Sequence, residues 1–144
     1  MRENIHQYFM NIAKVVASRS TCIKRHVGTI IVKNKKIISC GYNNPSVGLP
    51  NCTTDTCILD GLQKCTKATH SEINALLQAT PQDRENATLY CTCYPCSKCQ
   101  LAILNSGVTT VIYDEKHHSE IDFFKGTHVQ CYSLEEIIKL EEGK

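Results

Sequence analysis

Two short stretches hold the side chains best suited to chemistry: Thr69-His70-Ser71-Glu72 and Pro95-Cys96-Ser97-Lys98-Cys99. His70, Cys96 and Cys99 are donors of the kinds zinc accepts. A set of three leaves the fourth tetrahedral position for water, the pattern of a catalytic rather than a closed structural centre. Cys96 and Cys99 stand three residues apart, so on a helix their sulfurs share a face. At a helix N-terminus the macrodipole also favours the thiolate. Glu72, two residues past His70, is a carboxylate free to move protons rather than to bind metal. Plainer readings exist for each fragment alone. Thr69-x-x-Glu72 fits a capping box, and Cys-x-x-Cys fits a redox pair or a zinc knuckle. Both fragments read better as one site, because a single strand between two helix starts would bring them to the same end of a sheet.

The elements needed for that are legible. Ile5, Tyr8, Phe9, Ile12, Val15 and Val16 recur at helical spacing, giving an amphipathic first helix. Two β-branched runs, Val27 to Val32 and Ile37 to Ile38, flank a turn at Asn34-Lys35 and read as paired strands. Residues 43–68 show no sustained periodicity, and a loop that long is uncommon unless something ties it down. A helix follows from His70 to about Ala79 and stops before Pro81. Ala87 to Tyr94 alternates as a strand, Pro95 ends it, and a helix runs from Cys96 to about Ser106 with Gly107 as its stop. Val108 to Tyr113 is a buried strand, Ser119 to Phe124 a brief helix and His128 to Tyr132 an edge strand. Ser133-Leu134-Glu135-Glu136 is a capping box opening the last helix. The order α-β-β-α-β-α-β-α-β-α predicts a sheet covered by helices on both faces.

The totals bound the class. The 144 residues suit one domain, residues 1–144, with a proper core. With 16 Lys+Arg against 14 Asp+Glu and no long charge block, the chain offers no broad footprint for nucleic acid or a membrane surface. No stretch approaches the ~20 apolar residues that span a bilayer. Ten cysteines suit either a disulfide framework or metal ligands in a reducing compartment. The amphipathic N-terminus is not a secretion signal, which favours metal ligands and a cytoplasmic protein.

The arrangement H-x-E followed by P-C-x-x-C is the signature of zinc-dependent nucleobase deaminases. The chain resembles the deoxycytidylate (dCMP) deaminase family, and within it the bacterial competence-operon members. The resemblance is carried by QYFM, SRSTC, VGTIIV, GYN, HSEINALLQ, LYCTCYPCSKC and SGVTTVIY, which span residues 7–113. It implies an α/β fold of the cytidine-deaminase-like three-layer α/β/α sandwich type, with a mixed sheet and helices on both faces. It implies hydrolytic deamination of dCMP to dUMP, with hydroxide supplied at zinc attacking the amine-bearing ring carbon. His70, Cys96 and Cys99 would bind that zinc and Glu72 would shuttle protons. Asn43 matches a residue contacting sugar or base, and Asn74 a position near the nucleotide. A homo-oligomer, often a hexamer, and dCTP and dTTP as effectors are also implied. Three departures stand out: Ser71 replaces the alanine of H-A-E, Asn44 replaces the glycine of the effector-linked GYNG stretch, and beyond Tyr113 the match fades. Arg19, Lys24, Arg25 and His26 are candidates for the substrate phosphate by charge alone.

Members of the resembled family often carry a second, structural zinc at positions similar to Cys22 and Cys52. Here Cys57 and Cys65 could complete a closed four-cysteine site; the competing reading is buried small apolar side chains. Of Cys91 and Cys93, at least one reads as core, as do Cys40 and Cys131, while His117 and His118 read as solvated. Two other functions compete with dCMP deamination. One is deamination of another nucleoside, nucleotide or tRNA base, the last of which expects a basic surface. The other is a non-catalytic zinc module, which expects four closed ligands and no role for Glu72 beyond capping.

Overall fold

The structure, a computed structural model, describes residues 2–22, 25–51, 68–116 and 121–143. Asn4 opens helix α1 (Ile5–Ala17) by accepting the backbone N–H groups of His6 and Gln7, donors that the first turn would otherwise leave unpaired. The hairpin follows as expected: β1 (Gly28–Lys33) pairs antiparallel with β2 (Lys36–Tyr42). Asn34 and Lys35 take φ of 53° and 62°, the left-handed pair that matches a two-residue turn to the twist of its strands. The next elements are a two-residue pair, β3 (Asn44–Pro45) with β4 (Ala68–Thr69), and then helix α2 (Ser71–Gln78). A short helix α3 (Pro81–Arg84), strand β5 (Thr88–Cys93) and helix α4 (Ser97–Leu104) come next. Strands β6 (Thr110–Glu115) and β7 (Gln130–Ser133) lead to helix α5 (Leu134–Glu142), which opens with the expected Ser133–Glu136 capping box.

The main sheet has the order β2-β1-β5-β6-β7, antiparallel from β2 to β5 and parallel from β5 to β7. Strand alternation sorts the core into two layers. Ile30, Val32, Tyr90 and Ile112 pack with Phe9, Met10 and Ala13 of α1 and Leu134 of α5. Ile31, Leu89, Cys91 and Val111 face the other way, onto Ala75 and Leu76 of α2 and Ile103 of α4. This is the expected three-layer α/β/α sandwich with a mixed sheet. Among the described residues, no helix is long and apolar enough to cross a membrane.

Three local expectations differ. Pro81 does not merely end α2: Thr80 accepts from Asp83 N and Pro81 takes the first position of α3. Residues 121–124 are not helical; residues 119 and 120 lie outside the described residues. Gln100 explains the difference, since its side chain bonds Ile121 O and Phe123 N, backbone groups that a helix would need for itself. Cys40, read as core, is exposed. It lies on the α1 side of β2, opposite Ile30, at a sheet edge that α1 leaves uncovered.

Helix α2 lies unusually close to the sheet, and Gly41 is the reason. A Cβ on Gly41 would fall 2.5 Å from Ala75 N and 2.6 Å from Ser71 O. Both are helix backbone, which cannot swing aside as a side-chain tip could. Ser39, one pleat earlier, donates to Ala75 O at 2.8 Å from the same distance of approach. Gly41→Ala should therefore destabilise the fold by about 1–3 kcal/mol, read as a lower urea midpoint with an unchanged slope.

Candidate functional site

His70 and Cys96 are the N-cap residues of α2 and α4, and neither makes a side-chain cap bond. The capping box that Thr69 and Glu72 fit on the plainer reading is not formed. Pairing of Asn44 with Thr69 and of Pro45 with Ala68 draws Thr69 into β4, where its hydroxyl meets Ser46 Oγ at 2.7 Å. Glu72 instead turns inward and is 4% exposed.

The imidazole and both thiols converge. His70 Nδ1 lies 3.4 Å from Cys96 Sγ and 3.4 Å from Cys99 Sγ, and the three donor atoms lie within 4.8 Å of one another. Zinc–nitrogen and zinc–sulfur bonds of about 2.0 and 2.3 Å at a tetrahedral angle put the two donors roughly 3.5 Å apart. The donor set therefore fits zinc in both chemistry and spacing. Among the described residues this cluster has three donors, whereas a closed structural knuckle needs four.

The electrostatics suit a cation. The hydrogen bond from Cys99, helped by His70, pulls the Cys96 thiol down to about 3 despite its burial. That same bond, together with burial and the charge of Glu72, pushes the Cys99 thiol up. A metal ion bound here would displace protons from the sulfurs.

Several neighbours hold these groups in place. Pro95 is buried at the end of β5, and Gln100, fully buried, donates to Pro95 O at 3.1 Å and to Ile121 O at 2.8 Å. Cys91, one of the strand pair of which at least one reads as core, is fully buried in the α2-side layer, and its thiol lies 2.7 Å from Glu72 Oε1. Arg25 Nη1 lies 3.5 Å from Cys93 Sγ, and both Arg25 and Glu72 act on that thiol, while burial sets its overall upward shift.

The two asparagines expected near the nucleotide are placed at the end of β2. Asn43 accepts from Val27 N at 2.8 Å and donates to Arg25 O at 2.7 Å, bracing the backbone that carries Arg25. Asn74 donates to Tyr42 O at 2.9 Å, tying the first turn of α2 to the same strand. Cys22 is buried. Cys52, Cys57 and Cys65 lie outside the described residues, as do Lys24, His117 and His118. Gln100 and Cys91 carry no sequence signal of a supporting role, because one reads as an ordinary helix residue and the other as an ordinary strand residue.

Comparisons with known proteins agree with this geometry. The profile of the cytidine and deoxycytidylate deaminase zinc-binding region matches residues 3–115. The chain is 40% identical over 133 residues to a deoxycytidylate deaminase of Saccharomyces cerevisiae, covering 87% of this chain and 42% of that protein. It is 34% identical over 142 residues to ComE operon protein 2 of Bacillus subtilis, covering 92% of this chain and 74% of that protein. It thus spans less than half of the yeast relative. The crystal structure of a dCMP deaminase from the cyanophage S-TIM5, in complex with dCMP and dUMP, superimposes with a TM-score of 0.78 at 28% identity. That match covers 92% of this chain and 98% of the phage protein.

Proposed function

Because the chain belongs to the cytidine and deoxycytidylate deaminase family, we propose that it hydrolyses dCMP to dUMP and ammonia at the His70–Cys96–Cys99 centre. The observation that carries the reading is a buried carboxylate, Glu72, two residues from the histidine of a three-donor cluster with the spacing of a zinc site. Zinc, when bound by these residues, supplies a hydroxide nucleophile at neutral pH. Glu72 takes the proton released by the attacking water and delivers it to the ring nitrogen beside the amine. A further proton passed through Glu72 lets the amine leave as ammonia. Water contributes the new ring oxygen, so substrate plus water balances product plus ammonia.

The first test separates proton transfer from metal binding. Glu72→Gln should keep its zinc, measured by atomic absorption, and lose roughly 10²- to 10⁴-fold in kcat on dCMP. Near-normal turnover in that variant would remove Glu72 from the mechanism. A zinc module without activity would show no ammonia release from any cytosine nucleotide, with zinc still bound.

The substrate's phosphate calls for a cation, and Arg25 stands beside Cys93, three residues before Cys96 in the chain. We assign Arg25 to that phosphate. Turnover of dCMP should exceed that of deoxycytidine, and Arg25→Ala should raise KM for dCMP while leaving the deoxycytidine reaction nearly unchanged. An equal loss on both substrates would assign Arg25 to structure instead.

The same reading extends to a second, structural zinc involving Cys22 and, from outside the described residues, Cys52, Cys57 and Cys65. Its support is that the Cys22 segment is fastened to the start of the long loop: Ser20 donates to Asn43 O at 2.7 Å and Thr21 to Asn44 Oδ1 at 2.9 Å. Metal analysis should give two zinc ions per chain, with Cys96→Ser and Cys22→Ser each releasing one. A single equivalent unaffected by Cys22→Ser would exclude the second centre.

A further inference from the structure

Beneath Glu72 lies a buried polar chain that the reaction as described does not use. Ser71 and Thr29 hydroxyls meet at 2.8 Å, Thr29 donates to Cys91 Sγ at 3.4 Å, and Cys91 Sγ donates to Glu72 Oε1 at 2.7 Å. Thr29 and Cys91 are fully buried, and Ser71 and Glu72 are 1% and 4% exposed. Polar groups in that setting are costly unless each is paired, and here the pairing has one consistent direction. Thr29 gives its proton to sulfur, so Ser71 gives its own to Thr29. The Cys91 thiol has one proton and two acceptors, Glu72 Oε1 at 2.7 Å and Cys93 O at 2.8 Å. A carboxylate is the stronger acceptor. Burial, then the charge of Glu72, pushes the thiol up, so it remains a donor.

The four residues come from three elements: Ser71 and Glu72 from the first turn of α2, Thr29 from β1 and Cys91 from β5. The chain leaving β5 at Cys93 passes through Pro95 into the cysteine pair. Cys91 is not among the three metal donors. Its thiol instead links the carboxylate on one helix to the strand that delivers the thiolates of the other. Both Ser71 and Cys91 matter here, and Ser71 is the position at which the chain departs from H-A-E.

We propose that Cys91 is a positioning residue for Glu72: its thiol, turned by Thr29 and Ser71, holds the carboxylate at the angle from which it exchanges protons with the substrate. This rests on the reading of Glu72 as the proton shuttle. The thiol is fully buried, so its loss should act on turnover rather than on binding.

The test uses the zinc-loaded enzyme and three variants, each measured for kcat, KM on dCMP, zinc content and melting temperature. Cys91→Val removes the donor while adding about one methyl group to a packed site, which is why melting temperature is read beside it; it should lose roughly 10- to 100-fold in kcat, the equivalent of one hydrogen bond to a charged group. Its KM should stay within about twofold and its zinc content should be unchanged. Cys91→Ser restores a donor and should recover to within roughly threefold of wild type. Thr29→Val leaves the thiol in place without the bond that turns it, and should show a smaller loss, again in kcat alone. It also carries the test if Cys91→Val does not fold. A Cys91→Val enzyme with kcat within twofold of wild type overturns the proposal, as does equal impairment of the Val and Ser variants, which would mean packing alone. Glu72→Gln in the same assay separates the two readings. If it turns over normally, the shuttle itself is wrong; if it is inactive while Cys91→Val is normal, only the positioning role falls.

Discussion

The site depends on two helix N-termini being brought face to face. Each carries a partial positive charge of about half a unit and several unpaired N–H groups, so their convergence is unfavourable until something anionic lies between them. The residues at the junction answer that need. Both N-cap side chains, His70 and Cys96, turn away from capping and toward each other, and Cys99 and His70 pull the Cys96 thiol down. Glu72 adds a carboxylate on the first turn of α2. The electrostatic demand created by the fold and the donor set suited to a divalent cation are thus the same feature.

The sheet makes that convergence available. Strand β1 contributes Ile30 and Val32 to one layer and Ile31 to the other, with β5 and β6 alternating in step, so α1 and α5 close one face while α2 and α4 close the other. Stability and site geometry share the second layer. Ala75 and Leu76 anchor α2 through apolar burial, while Ser39 and the absent side chain of Gly41 set how deep the helix sits. A shift of α2 outward would move His70 and Glu72 together and leave the cysteines behind.

Much of this was readable from residue types. The hairpin at Asn34-Lys35, the capping box at Ser133, the five strands of the main sheet and the H-x-E and P-C-x-x-C fragments each rest on local chemistry, and each appears where local chemistry places it. The Thr69–Glu72 capping box failed for a non-local reason: Thr69 pairs with Asn44, twenty-five residues earlier in the chain, across a loop with no periodicity. Residues 121–124 read as helix from their own pattern but answer to Gln100, a side chain from another element. Cys40 and Cys91 are both strand cysteines by sequence. What separates them is whether a helix covers that part of the sheet and whether a carboxylate lies opposite, and neither is a property of the strand.

Gln100 carries a consequence for the rotation of α4. Successive residues of a helix differ by about 100° around its axis, so a slip of one residue would swing Cys96 and Cys99 away from the imidazole altogether. Apolar contacts resist such a slip weakly, because Leu, Ile and Ala on a helix face can exchange places at modest cost. An amide whose two ends are fastened to Pro95, Ile121 and Phe123 has only one satisfied orientation. It acts as the key in a shaft: the helix is held by its greasy side, and its angular setting is fixed by a single planar group one residue beyond the second cysteine.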